Sequence, residues 1–314
     1  MKNSDYIELI NKIDDEFTLT IAIFLSIIGF TGNSVAFYIF TRKKMRKIST
    51  FRYIIVSLVN DSLVLFSMWF YSLPNAFQIN INTLSCKLSQ YFGYIFYQFC
   101  PWIIVLGSFD RYLSTYYPTR FKFIKKLKYQ VLALTSIFFF FAMLDMAYFL
   151  NFNLQIQFNQ TVCTETNALI GLNIDLLNFL ITAILPFFIM IFCSISIAYK
   201  FMKKKESINN DKTKLKKEIQ LAKTMISMDI FFLVCNLPFC IQQLIIDCFE
   251  LDNKLLEYGI LVFDVTNSII YIHNSCSFFV YLAFNKMFRN HFLKMIRTSK
   301  NAIAPVDFQN RRNT

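Results

Sequence analysis

Histidine is almost missing from this sequence: His273 and His291 are the only two in 314 residues. No zinc-type motif can be written with them, and they fall on opposite sides of the inner interface region. An enzyme built on such groups is therefore disfavoured, and His273 reads as a packed or hydrogen-bonded helix residue. Internal repeats are also missing, which argues against a transporter made of paired halves with broken helices. Residues 1–16 are acidic and lack the basic start and small-residue cleavage site of a secretory leader. The first apolar stretch is then expected to act as its own insertion signal. Lys and Arg are missing from all the long apolar runs, and runs of that length exclude an ordinary soluble domain.

What the chain does hold is apolar surface. Hydrophobic residues make up 55% of it, Phe alone fills 38 positions, and mean hydropathy is +0.44. A soluble domain carries about 45–50% apolar residues in short runs. Here they form seven long stretches, at 17–40, 53–77, 88–109, 129–150, 172–199, 225–246 and 258–284. A bilayer core of about 30 Å needs about 20 such residues in a helix that rises about 1.5 Å per residue. The seventh stretch is the most polar, with Asp264, Asn267, His273 and Asn274 inside it. Residues 286–297 alternate basic side chains with Phe288, Phe292, Leu293, Met295 and Ile296. Too short to span, they read as an amphipathic helix on the membrane surface. The expected fold class is an all-α membrane protein, a seven-transmembrane helix bundle with a short amphipathic eighth helix.

Lys and Arg collect on the cytoplasmic side of membrane proteins. Arg42, Lys43, Lys44, Arg46, Lys47 and Arg52 share one side with Arg111, Arg120, Lys122, Lys125, Lys126 and Lys128, the loop 203–217 and the C-terminal segment. Only Lys2, Lys12, Lys87 and Lys254 of the 32 basic residues fall on the other. Residues 1–16 are therefore expected outside the cell, 17–284 in the bundle, and 285–314 as amphipathic helix and cytoplasmic tail of a multi-pass plasma-membrane protein. The net charge of +12 is a topology signal facing anionic lipid, so membrane lipids are expected partners and nucleic acid is not. The sequon Asn159-Gln160-Thr161 falls in an outer loop, where it can be glycosylated. Asn60-Asp61-Ser62 has the same pattern but lies within a span.

Charges inside a membrane are costly and mark function by default. Asp61 is the single charge of the second span, within Ser57-Leu58-Val59-Asn60-Asp61. Gly29-Phe30-Thr31-Gly32-Asn33-Ser34 lies in the first, and Asp110-Arg111-Tyr112 closes the third, with Pro118 after it. Pro186 stands in the fifth, Cys235-Asn236-Leu237-Pro238 in the sixth, and Tyr281 in the seventh ahead of Phe288. In that order and at those depths the motifs resemble the rhodopsin-like (class A) G-protein-coupled receptors over nearly the whole chain, as a divergent member.

The resemblance implies a receptor that passes an extracellular signal to a heterotrimeric G protein, with no cofactor and no enzymatic step. It implies a disulfide between Cys86 and Cys163. About 37 Å of helix separates Cys86 from Arg111, which puts Cys86 on the oxidising side. It implies an activation switch of Asp110, Arg111, Tyr112, Glu218, Pro238 and Tyr281, in which Arg111 is held by Asp110 and Glu218 until the sixth helix, bent at Pro238, swings outward. Glu218, set among Lys214, Lys216, Lys217 and Lys223, reads equally as part of a solvated salt-bridge face. An intramembrane polar core of Asn33, Asp61, Asn236, His273 and Asn274 is expected. Several positions depart from the family pattern: Asn236 replaces a toggle Trp, Ser277-Phe278 replaces Asn-Pro, Ser194 replaces a Tyr, the fourth span has no Trp, and Asp229 is an extra buried charge. These put the family's sodium site around Asp61 in question, and no other metal is expected.

Gly93 stands where amine receptors of the family carry a carboxylate, and Tyr271 where opsins carry their retinal lysine, so neither ligand is implied. The outer side holds Asp5, Glu8, Asp14, Asp15, Glu16, Glu165, Asp175, Asp247, Glu250, Asp252 and Glu257 against the four basic residues named above. Such a field draws cations, so a basic neuropeptide is the expected ligand, with a lipid or other small molecule as the alternative. Topology alone also leaves outer loops poor in Lys and Arg. By depth, Gln90, Tyr94, Tyr97, Gln98, Gln242 and Asp264 are the expected pocket residues.

Overall fold

Lipid reverses the usual burial rule, and the chain follows the reversed rule. Phe139 is 65% exposed and Phe188 64%, whereas Asp61, Ser275 and Ser277 are fully buried. Water would penalise that exposure at about 25 cal/mol per Å2 of apolar surface; hydrocarbon does not. The computed structural model describes residues 3–77, 82–157, 160–167, 176–205, 212–248 and 253–303.

Seven long helices form the bundle: the first Asn3–Thr41, the second Ser49–Phe77, the third Thr83–Tyr116, the fourth Leu127–Leu144 with a short continuation Met146–Asn151, the fifth Leu185–Lys205, the sixth Lys212–Cys248 and the seventh Asn253–Phe284. Six of them carry a described stretch long and apolar enough to cross a bilayer. The seventh packs its Ser, His and Asn residues against the first, second and sixth, which is why its sequence is the most polar. The chain is a multi-pass membrane protein with the architecture of a seven-helix bundle.

Local chemistry sets where the helices start, stop and deform. Asn82 caps the third, its side chain accepting from the Ser85 amide at 2.7 Å. That helix ends at Tyr117, the residue before Pro118, where the helical conformation is disfavoured. Before the fifth helix the chain widens into a π-turn, Leu180–Ile184. Pro186 supplies no N–H to the preceding turn, and the Trp102 indole donates to the Ile181 carbonyl at 3.1 Å from the third helix instead. Gly29 sits where a β-carbon would overlap the Leu65 side chain and lie 3.1 Å from the Ser275 backbone, so the first, second and seventh helices close on a missing side chain.

The eighth helix, Lys286–Ile303, begins at Asn285, whose side chain accepts from the Phe288 amide at 2.9 Å. Its apolar side places Phe288 5.1 Å from Phe40 and Phe292 5.4 Å from Phe278, ring centre to ring centre, while Lys286, Arg289 and Lys294 stay exposed. The helical bundle also carries one short hairpin among the described residues. Strands β1 (Phe152–Gln157) and β2 (Gln160–Glu165) form an antiparallel hairpin after the fourth helix, with Leu154 opposite Cys163. Phe152, Leu154 and Ile156 alternate with Asn153, Gln155 and Gln157, a strand period carried by the sequence itself.

Candidate functional site

The polar residues of the bundle fall into three layers down its axis. In the outer layer Cys86, at the start of the third helix, is joined to Cys163 of β2, with Cα atoms 5.7 Å apart. The bond fixes the hairpin over the third helix, where Tyr94 stacks on Tyr148 at 3.9 Å and Phe152 closes the cluster. Of the pocket residues expected by depth, Gln90 and Tyr97 are half-buried, and Tyr97 meets Phe239 edge-on at 6.5 Å. Thr266 donates to the Gln242 side chain, pairing the sixth helix with the seventh. The side chain of Asp264 lies outside the described residues, as does Asn159. Gln98 is buried and donates to Asp145 at 2.9 Å. Asp145 is fully buried at the break in the fourth helix, and its charge within an apolar run is the sequence signal for it.

The middle layer centres on Asp61. Ser277 donates to its Oδ2 at 3.3 Å, and the Cys100 thiol lies 3.7 Å from its Oδ1. The same sulfur is 4.0 Å from His273 Nδ1 and 3.8 Å from Asn274 Oδ1. Asn33 donates to the Asn274 carbonyl at 3.0 Å, locking the first helix to the seventh. Four of the five expected core residues therefore meet here. Asn236 is the one that does not: its side chain donates to the Phe232 carbonyl one turn back on its own helix, at 2.8 Å, as short amides do when a backbone acceptor is in reach. Cys100 joins the cluster without having been expected. Its position on the third helix, three turns before Arg111, was the available signal.

In the inner layer Arg111, 4% exposed, reaches Glu218 Oε2 at 3.0 Å and Asp110 Oδ2 at 3.4 Å. Asp110 also accepts from Ser49 at 2.9 Å and Thr50 at 3.4 Å, so it is tied to the second helix as well. Tyr112 is turned to the fifth helix, 5.5 Å from Phe192, while Tyr281 is buried against Phe40 at 5.1 Å. Just above lies the partner set of Asp229. Ser108 of the third helix donates to it at 2.8 Å, and Ser194 of the fifth at 2.6 Å, which joins three helices through one carboxylate. At the inner ends of the sixth, seventh and eighth helices a groove of about 230 Å3 is lined by Lys216, Lys223, Phe284, Lys286 and Arg289.

The sequence model of the 7 transmembrane receptor (rhodopsin family) matches residues 32–281. The chain is 28% identical to atypical chemokine receptor 3 of Rattus norvegicus, over 71% of this chain and 62% of that protein, so this alignment spans less than two thirds of the relative's own length. It is 25% identical to atypical chemokine receptor 3 of Homo sapiens over 88% of this chain and 78% of that protein. Type-1 angiotensin II receptor of Gallus gallus is 23% identical over 88% of this chain and 80% of its own length.

Proposed function

We propose that this chain, which belongs to the rhodopsin family of seven-transmembrane receptors, reports an extracellular basic peptide to a heterotrimeric G protein at the inner face of the plasma membrane. The family is one of receptors, not enzymes, and the step that carries the signal is a change of shape. The N-terminus lies outside in this reading, and the basic loops face the cytosol.

The observation that carries the proposal is the ion pair between Arg111 and Glu218. It ties the third helix to the sixth at the inner end of the bundle, where outward movement opens a cleft for a partner. Pro238 interrupts the hydrogen bonding of the sixth helix above that point and gives it a place to bend. A ligand seated below the hairpin would favour one of the two arrangements by binding it more tightly. The acidic outer side favours a cationic polypeptide, and the names of the relatives refer to a chemokine and to angiotensin II, both polypeptides. The basic groove beside Lys216 and Arg289 suits anionic lipid headgroups.

The test is a basic-peptide screen on cells carrying reporters for each Gα class and for arrestin recruitment. At least one peptide should activate a Gα reporter, and Arg111→Ala should abolish that response with surface expression unchanged. Arrestin recruitment with no Gα response would overturn the G-protein arm, an outcome given weight by the word atypical in the name of two relatives. A response to lipids and to none of the peptides would overturn the ligand arm.

A further inference from the structure

Three groups of metal-ligating chemistry meet at the middle layer. Asp61, Cys100 and His273 come from the second, third and seventh helices, and each offers a ligand atom within 4.8 Å of the other two. All three are buried, with exposures of 0%, 4% and 1%. Hard alkali and alkaline-earth cations take oxygen donors, whereas thiolate and imidazole suit zinc and its neighbours. Beside the oxygens of Asp61, Ser277 and Asn274 the cluster holds the Cys100 sulfur and the His273 imidazole, two donors that suit a transition-metal ion better than the sodium ion the family resemblance implies. We propose that this cluster is instead a binding site for a thiophilic divalent cation, with Zn2+ the best chemical match, held by Asp61 Oδ1, Cys100 Sγ and His273 Nδ1.

The geometry is close to what such an ion needs. Ligand atoms at zinc distances of about 2.0–2.3 Å in a tetrahedron lie roughly 3.3–3.7 Å from one another. The sulfur stands 3.7 Å from the carboxylate oxygen and 4.0 Å from the imidazole nitrogen, and all three lie within 4.8 Å of one another, so side-chain rotations must draw the oxygen and nitrogen inward to close the set. Asn274 Oδ1, 3.8 Å from the sulfur, is in place as a fourth donor. The supporting contacts aim the ligands inward. Ser277 holds Oδ2 of Asp61, which leaves Oδ1 toward Cys100. His273 packs against Phe231 and Phe232 at 5.5 and 5.2 Å, and its Nε2 has no hydrogen-bond partner among the described residues, so Nδ1 is the polar side of the ring.

Charge also balances. Binding exchanges ligand protons for the metal: the S–H bond of Cys100 breaks as a sulfur–metal bond forms, a neutral Asp61 carboxyl gives up its O–H proton in the same way, and the released protons leave to solvent. One carboxylate and one thiolate then cancel the two positive charges, leaving a neutral site in the membrane interior, where net charge is costly. Because the ligands come from three helices, the ion would clamp the second, third and seventh together. This inference stands whether or not the ligand and partner proposed above are right.

The experiment uses the full chain in lipid nanodiscs, disulfide intact and treated with chelator, titrated with Co2+ and then Zn2+. One equivalent of Co2+ should give a thiolate-to-metal charge-transfer band that Zn2+ removes by displacement. Cys100→Ser should abolish the band and weaken Zn2+ binding by about 100-fold or more. His273→Gln, which keeps volume and polarity, should weaken binding by at least about 10-fold and serves as the second variant if Cys100→Ser does not fold. Cys276→Ser, at a half-buried free cysteine of the seventh helix outside the cluster, should change neither readout. The proposal is overturned if folded wild type shows no band, if the band survives in folded Cys100→Ser, or if neither variant weakens Zn2+ binding. It is equally overturned if Na+ raises the thermal midpoint at constant ionic strength and Zn2+ does not.

Discussion

Asp229 shows how much a single buried carboxylate can decide. A hydrogen bond contributes about 0.5–1.5 kcal/mol, and about 1.5–3 kcal/mol where one partner is charged, and Asp229 accepts from Ser108 and Ser194 at 2.8 and 2.6 Å, both side chains on other helices. The Arg111–Glu218 pair contributes less, because Arg111 is buried but the Glu218 side chain is 41% exposed, and water screens the pair toward the about 0–1 kcal/mol of an exposed one. If the sixth helix moves outward on activation, the serine contacts hold it back more strongly than the ion pair does. Ser194→Ala is therefore expected to raise ligand-free signalling by about 10-fold, and Glu218→Gln by no more than about 5-fold, at matched surface expression. An unchanged basal signal in Ser194→Ala, or a larger one in Glu218→Gln, would reverse this ranking. Asp229 could be recognised from sequence as a buried charge, but its partners could not. They lie 121 and 35 residues away, and no local pattern connects positions that only packing brings together.

At the level of elements, the apolar runs located every long helix, because the bilayer thickness sets a minimum length that a sequence cannot hide. They did not locate the ends. The third helix continues to Thr83 and Tyr116 beyond the 88–109 run, since polar turns outside lipid are held by caps and hydrogen bonds that hydropathy does not register. The eighth helix is legible from its alternating basic and aromatic residues, whereas the hairpin's period of two is too short to stand out beside the long apolar runs. Asn285 makes the break before the eighth helix by capping Phe288. Replacing such a cap by Ala costs about 1 kcal/mol, while the packing of Phe288 and Phe292 on Phe40 and Phe278 remains. Asn285→Ala should thus speed hydrogen exchange in the first turn of the eighth helix several-fold and leave the turns beyond Phe292 little changed. Uniform loss of protection would mean that the cap, not the aromatic contact, holds the helix to the bundle.

For the whole molecule the governing constraint is that the two ends of the third helix face different chemistry. Its start carries a disulfide that requires an oxidising compartment, and its end carries Arg111 among the basic loops. The bond closes a loop with a sequence separation of 77 residues, which includes the fourth helix and β1. Losing a native disulfide of this kind costs about 2–5 kcal/mol, and here it also frees the hairpin that covers the bundle. Cys86→Ser and Cys163→Ser each remove the same bond, so their effects should not add. Each single variant and the double variant should lower the thermal midpoint of the purified receptor by the same amount, and each should weaken ligand binding alike. A double variant clearly less stable than either single one would show that the two sulfurs stabilise the receptor separately. A single variant as stable as the wild type would show that the hairpin is held by Tyr94, Tyr148 and Phe152 alone. The stacked pair at 3.9 Å is large enough to keep the hairpin near its place, so the loss should appear more strongly in ligand binding than in overall folding.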